Sequence, residues 1–269
     1  AVANTIGNEI VAANSISTQV LIAALVSAIF WNLLTWYLGF PSSSSHALFG
    51  GLVGSVVMAS GWTAIQVGGL EKILIALFTS PILGFLVGFI ILRVIKTIFR
   101  NTRPRINSLF KRGQIFTALA LALSHGTNDA QKTMGIITLA LVTGGYLDVF
   151  IVPTWVIVAC AGMIGLGTAL GGWKLIKTLG GKFFKIRPVD GFASQLASAT
   201  VILVASFLGG PVRTTQVVSS SIMGVGSADR LNKVRWSVAQ EIAVAWLLTI
   251  PATALVAAGA FWLISLFIP

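Results

Sequence analysis

Apolar runs of about 20 residues recur along the chain, and no other feature constrains its fold as strongly. A run of that length is enough to cross the hydrocarbon core of a bilayer as a helix. Only 9% of the residues are charged, whereas soluble domains carry about 25%. We therefore predict an all-α polytopic membrane protein. The main runs are 17–38, 73–92, 114–124, 133–145, 150–172, 191–209 and 236–268.

The net charge of +11 invites a nucleic-acid-binding interpretation, but the placement of the basic residues argues against it. Seven of the 18 Lys and Arg lie in 93–112, five in 174–187 and three in 230–235, always beside apolar segments. Cytoplasmic loops of membrane proteins carry such an excess of Lys and Arg. We expect contact with the lipid bilayer and none with nucleic acid. The predicted basic cytoplasmic loops are 100–113, 173–190 and 229–235.

An internal repeat appears when the sequence is shifted by 170 residues without a gap. The stretch "GFPSSSSHALFGGLVGS" (39–55) falls on "GGPVRTTQVVSSSIMGV" (209–225), so that Pro41 meets Pro211. Further on, "EKILIALFTSP" (71–81) falls on "EIAVAWLLTIP" (241–251). Matched Pro, Glu and Gly positions in one register indicate two copies of the same unit.

The basic clusters predict that the two copies have opposite orientations in the membrane. No Lys or Arg occurs between residues 1 and 71, whereas clusters bracket the second copy. The positive-inside rule then places the ends of the first copy outside and those of the second inside. Inverted repeats are typical of secondary transporters, whose site lies near the midplane. We assign 1–99 to the first repeat and 114–269 to the second.

Each repeat reads as a helix, a Pro-containing break and a short helix back. The breaks are "GFPSSSSH" (39–46) and "GGPVRTTQ" (209–216). Pro and clustered Ser or Thr interrupt helices and favour caps and turns. Irregular backbone at membrane depth survives only inside protein or beside water. We therefore predict broken helices and re-entrant hairpins, with surface loops as the alternative.

The stretch "ALSHGTNDAQKTMG" (122–135) places strong polarity inside an apolar region. An ionised Asp in hydrocarbon costs at least ~2.5 kcal/mol, so Asp129 needs a purpose or a partner. Gly126 and the Asn-Asp pair favour two half-helices meeting here. Asp129 could bind a cation such as Na⁺, carry a proton because burial raises a carboxyl pKa, or form an ion pair with Lys132.

Hydroxyl groups occupy matched positions in the two breaks, at Ser44 and Ser45 and at Thr214 and Thr215. They could bind a protonated oxyanion or complete a cation shell, and helix N-capping is the simpler alternative. Arg213 could clamp an oxyanion or reach toward the membrane interface.

Three further polar residues have less specific signals. His46 and His125 are more often packing or hydrogen-bonding residues than ligands. Gln195, on the apolar helix that enters the second break, could line a site or bond to a neighbouring helix.

These motifs resemble the inorganic phosphate transporter (PiT) family. "SHGTNDAQK" (124–132) looks like the second family signature in its bacterial form, and "PSSSSH" (41–46) and "PVRTTQ" (211–216) look like the two breaks. The resemblance implies a multi-pass protein of the cell (inner or plasma) membrane that is not an enzyme. It implies symport of inorganic phosphate, coupled to H⁺ or Na⁺, by alternating access around a midplane site in an inverted-repeat transporter fold.

The resemblance also implies a set of site residues. The predicted substrate-binding residues are Ser43, Ser44, Ser45, Thr127, Asn128, Asp129, Arg213, Thr214 and Thr215. The predicted coupling-ion residues are Asn128, Asp129, Gln195 and Thr215. We expect no metal or cofactor of its own, while phosphate could travel with a divalent metal, and a homo-oligomer is left open. Gln195, where sodium-coupled eukaryotic members have Glu, leans the prediction toward H⁺.

Departures from the family pattern and rival functions complete the predictions. Arg213 and Gln216 replace a small residue and a His of the second break, and no first signature occurs in 1–40. We expect that copy to lie about 40 residues upstream of Ala1 in a longer chain. The rivals are a sulfate or other oxyanion permease, an inactive or structural fragment, and an intramembrane serine hydrolase, which lacks a G-x-S-x-G elbow here.

Overall fold

Helices make up almost all of the computed structural model, which describes residues 2–8, 16–38, 42–102, 106–170, 186–210 and 212–267. No β-strand occurs within these ranges. This confirms the predicted all-α class. The helices are α1 (Val2–Asn8), α2 (Thr18–Leu38), α3 (Ser44–Ser60), α4 (Val67–Ile98), α5 (Ile106–Thr143), α6 (Thr154–Leu170), α7 (Pro188–Phe207), α8 (Thr214–Asp229) and α9 (Trp236–Phe267).

The order of helices follows the sequence repeat. Helices α2 and α7 begin 170 residues apart, at 18 and 188, and so do α3 and α8, at 44 and 214. Helices α4 and α9 begin at 67 and 236 and contain the matched Pro81 and Pro251. The opposite orientation of the two copies stays a prediction, and Pro41 and Pro211 lie outside the described residues.

Four helices are long and apolar enough to cross a membrane: α2, α4, α7 and the 247–267 part of α9. Helices α3 and α8, of 17 and 16 residues, reach only about 25 Å at 1.5 Å per residue. The hydrocarbon core is about 30 Å thick, so their length suits the re-entrant hairpins that the sequence predicts.

One prediction about the polar stretch is wrong. Helix α5 runs unbroken through Gly126, Asn128 and Asp129, so no half-helices meet there. A single Gly costs a helix only about 1 kcal/mol, and the Asn and Asp side chains bond to other helices rather than to the local backbone. The runs 114–124 and 133–145 are parts of this one helix.

The basic loops are shorter than predicted where the structure describes them. Helix α5 begins at Ile106, inside the predicted loop 100–113, and α7 begins at Pro188, inside 173–190. Lys, Arg and Gln are good helix formers, which explains why basic segments extend the helices. Residues 171–185 lie outside the described part.

The chain divides into two compact units that interleave in sequence. Unit 1 comprises 1–74, 130–163 and 240–269, and unit 2 comprises 75–129 and 164–239. Helix α5 therefore contributes its residues up to Asp129 to unit 2 and the remainder to unit 1. The units differ from the sequence repeats, and each is described by itself below.

In unit 1, α2 and α3 form an antiparallel hairpin. Thr35 near the end of α2 shares a hydrogen bond with Ser42, just before α3. Gly51, midway along α3, lies so close to α2 that an added Cβ would be 2.7 Å from the carbonyl oxygen of Ala24. Close approach through small residues is the usual packing of membrane helices. The hairpin therefore holds the N-terminus of α3 firmly in place.

In unit 2, α7 and α8 pack together in the same way. Ile202 of α7 and Val217 of α8 are fully buried in one apolar cluster with Val201 and Val212. This packing fixes the N-terminus of α8, where the second break ends.

Candidate functional site

Asp129 lies in unit 2 at the centre of a small polar cluster. Its Oδ2 atom is 2.8 Å from Nε2 of His125, one turn earlier on α5. Thr214, the first residue of α8, donates its hydroxyl to the same oxygen at 3.3 Å. The side chain of Asp129 is only 21% exposed. The carboxylate thus joins an imidazole to the N-terminus of a short helix.

Asn128 points in another direction and is fully buried. Its amide nitrogen donates to the hydroxyl of Ser206 on α7 at 2.7 Å, and Ser206 donates to the carbonyl of Ile202. The Oδ1 atom of Asn128 is buried without a hydrogen-bond partner in the part of the chain that the structure describes. It is an oxygen ligand of the kind a cation uses.

Arg213 precedes α8 at its N-cap position and is 4% exposed. A guanidinium carries donors only, so it cannot accept from the first N–H groups of the helix. The negative charge of Asp129 acts on Arg213. A buried cation at the positive end of a helix dipole is a favourable place for an anion. Thr215, on the next turn position, is half-buried.

Unit 1 holds the matched serines of the first break. Ser43 caps α3, where its hydroxyl accepts from the backbone N–H of His46 at 3.0 Å. Ser45 accepts from the ammonium of Lys132 at 2.8 Å, and both residues are buried. Ser44 is exposed. N-capping, the simpler alternative, therefore holds for Ser43.

Lys132 is the residue that sequence reasoning placed least well. The sequence suggested an ion pair with Asp129, whereas the structure bonds its ammonium to Ser45 of the first break. The signal was present, because a Lys in an apolar helix is costly and marks a functional position.

Two predicted site residues lie away from Asp129. Gln195 accepts from the hydroxyl of Thr117 at 2.7 Å, and Thr117 precedes Asp129 by 12 residues on the same helix. That separation is about 18 Å along a helix. Thr127 is exposed, and its hydroxyl donates to the carbonyls of Leu123 and Ser124 in its own helix. The structure does not bring either side chain to the Asp129 cluster.

Comparison with known proteins decides the family. The family model described as "Phosphate transporter family" matches residues 1–257 of this chain.

The chain belongs to the phosphate transporter family.

Curated relatives of this family agree over nearly the whole chain. A probable low-affinity inorganic phosphate transporter of Bacillus subtilis (strain 168) is 46% identical over 98% of this chain and 81% of its own length. One of Rhizobium meliloti (strain 1021) is 43% identical over 96% of this chain and 78% of its own. The resemblance predicted from the motifs is confirmed, and the phosphate transporter family is a family of transport proteins rather than enzymes.

A solved structure shares the fold. It is titled "The sodium-dependent phosphate transporter", matches with a TM-score of 0.88, and is 24% identical to this chain. The match covers 98% of this chain and 85% of that one. The helical transporter fold predicted for this member of the phosphate transporter family is therefore found in a solved structure.

Proposed function

We propose that the protein is a symporter that moves inorganic phosphate across the membrane together with H⁺. Phosphate binds at the N-terminus of α8, and Asp129 takes up the proton. The names of the 46% and 43% identical relatives support inorganic phosphate as the substrate. Transport by alternating access, with one repeat moving against the other, belongs to the same proposal.

The contact between Asp129 and Thr214 carries this proposal. A phosphate that accepts hydrogen bonds from the first N–H groups of α8 and from Arg213 comes close to the carboxylate of Asp129. Two like unit charges about 6 Å apart repel by about 3 kcal/mol at an effective dielectric constant of about 20. Phosphate therefore binds well only when a cation neutralises Asp129.

This repulsion provides the coupling between substrate and ion. Because the coupling free energy is reciprocal, bound phosphate raises the affinity for the cation as much as the cation raises the affinity for phosphate. About 3 kcal/mol corresponds to roughly a hundredfold change in either affinity. The loaded states with both ligands or with neither are then the favoured ones, which is the requirement for symport.

The neighbouring His125 favours a proton as the coupling ion. An imidazole titrates near neutral pH, and its Nε2 atom lies within hydrogen-bond distance of the Asp129 carboxylate. The pair can hold a proton and pass it between its two members. Arg213 and the dipole of α8 stabilise the anion in the same place.

Sodium is the second candidate, and Asn128 favours it. The buried Oδ1 atom of Asn128 and the carboxylate of Asp129 are oxygen ligands on adjacent residues. Sodium sites in transporters are built from such oxygens. The solved structure with the same fold is titled as sodium-dependent, which is a property of that protein.

Uptake of labelled phosphate into proteoliposomes tests the proposal. The purified protein is reconstituted, and a pH gradient and a sodium gradient are imposed separately, with sulfate as a competing anion. We expect accumulation driven by the pH gradient without sodium and little inhibition by sulfate. Accumulation that requires sodium would replace H⁺ by Na⁺, and strong inhibition by sulfate would contradict phosphate as the preferred substrate.

A further inference from the structure

A groove in unit 2 lies well away from the Asp129 cluster. It has a volume of about 730 Å³ and is lined by Ser108, Lys111, Arg112, Gln114, Ile115, Ala118 and Gln195. The α5 residues of its wall recur every three or four positions, so they share one face of the helix. The groove begins about one turn after the start of α5 at Ile106.

The two ends of this groove differ in chemistry. Ser108, Lys111 and Arg112 form a basic, hydrogen-bonding end, and all three are exposed. Ile115 and Ala118 form an apolar end, one to two helical turns further on. None of the lining residues is acidic. The groove thus presents positive charge beside hydrocarbon surface.

Contacts between α5 and α7 hold this wall in shape. Gln114 donates its amide to the carbonyl of Pro188 at 2.9 Å. The Phe110 and Phe192 rings pack 5.5 Å apart, and an added Cβ on Gly113 would be 3.0 Å from Phe192. The Thr117–Gln195 hydrogen bond closes the deeper part. The groove is therefore a preformed surface and not a gap between mobile side chains.

We propose that this groove binds one anionic phospholipid, with the phosphodiester at Lys111, Arg112 and Ser108 and an acyl chain along Ile115 and Ala118. The charge complementarity favours an anionic headgroup over a zwitterionic one, since two cations face it and no lining carboxylate opposes them. The spacing of about 5–9 Å along α5, at 1.5 Å per residue, separates a headgroup from its first acyl carbons.

Free inorganic phosphate shares the headgroup's chemistry and is the other ligand that the basic end could take. The apolar half of the groove distinguishes the two, because a free anion gains nothing from Ile115 and Ala118. Lipid binding at this place does not depend on the transport proposed above, and it is measured without any uptake assay.

Native mass spectrometry of the delipidated full chain tests the proposal, with phosphatidylglycerol and phosphatidylcholine as the two probes. We expect preferential retention of one phosphatidylglycerol. The double variant Lys111→Gln/Arg112→Gln should bind it about tenfold or more weakly, at roughly 1 kcal/mol for each basic residue near an anionic membrane surface. The matched control Arg230→Gln/Arg235→Gln removes the same charge from exposed positions outside the groove and should bind as the wild type does.

A third variant tests the apolar half. Ala118→Trp fills the acyl end while all charges remain, and it should also lose the retained lipid. A monodisperse gel-filtration peak confirms that each variant is folded. Equal loss in the control pair, unchanged binding in Ala118→Trp, equal binding of both lipids, or displacement by millimolar inorganic phosphate would each overturn the proposal.

Discussion

The Nε2 atom of His125 lies 2.8 Å from Oδ2 of Asp129, one turn further along α5. The same oxygen accepts from Thr214 at the start of α8. A proton on this pair is thus connected by one hydroxyl to the helix N-terminus where we place phosphate. This connection relates the coupling ion to the substrate within a single unit of the protein.

His125→Gln separates hydrogen bonding from proton transfer. Glutamine can still donate to Asp129 but cannot take up a proton, so uptake driven by a pH gradient should fall by about tenfold to a hundredfold. Phosphate binding measured at equilibrium should change little. Uptake at the wild-type rate with the wild-type pH profile would show that His125 only packs against Asp129.

Arg213→Gln removes the cation beside the α8 N-terminus. A hydrogen bond to a charged group contributes about 1.5–3 kcal/mol, so the KM for phosphate should rise by roughly tenfold to a hundredfold. Arg100→Gln, at an exposed position, serves as the control. An unchanged KM in Arg213→Gln would place the guanidinium outside the binding site.

Gln195→Ala tests whether this residue takes part in ion coupling. The structure bonds Gln195 to Thr117, about 18 Å along α5 from Asp129 at 1.5 Å per residue, which favours the interhelical bond over a coupling role. The variant should lose about 0.6–1.7 kcal/mol of stability and keep its ion dependence. A changed ratio of ions to phosphate would instead support the coupling role that the family resemblance implies.

Arg187 ties the start of α7 to two carboxylates. It donates to buried Asp190 at 2.9 and 3.0 Å and to Asp229 at 3.0 Å, and Lys96 also bonds Asp229. Arg187→Gln leaves the buried Asp190 without its cation and should destabilise the protein by about 1–3 kcal/mol. Thermal unfolding in detergent measures this loss.

The loss should be the same at pH 6 and pH 9. The hydrogen bond from Arg187 to Asp190 raises the pKa of the guanidinium above its ordinary value. A base with a raised pKa stabilises the folded state below its unfolded pKa and loses that contribution only as pH rises through the folded pKa. Both pH values lie far below that window, so a loss that shrinks between them would contradict the assignment.

Much of the fold could be predicted from the sequence because the signals are local or periodic. Apolar runs located the long helices, and the 170-residue register located the paired starts of α2 with α7 and α3 with α8. The unbroken course of α5 could not be predicted, because Asn128 and Asp129 find their partners on other helices.

The contacts of the candidate site required the tertiary structure. Lys132 and Ser45 are 87 residues apart, and Asn128 and Ser206 are 78 apart. No spacing rule joins such residues. The motifs nominated Asp129 and Thr214, and only the packing of α5 against α8 shows that their side chains meet in one unit.

Asp129→Asn in proteoliposomes tests the central claim most directly, with the exposed Asp148→Asn as the matched control. Asparagine imitates the protonated, neutral state, so phosphate should still bind and exchange across the membrane. Exchange moves no net proton, whereas accumulation requires the carboxylate to release one. We predict that Asp129→Asn exchanges labelled phosphate but cannot accumulate it under a pH gradient, while the control does both. Accumulation by Asp129→Asn at the wild-type level would contradict the account.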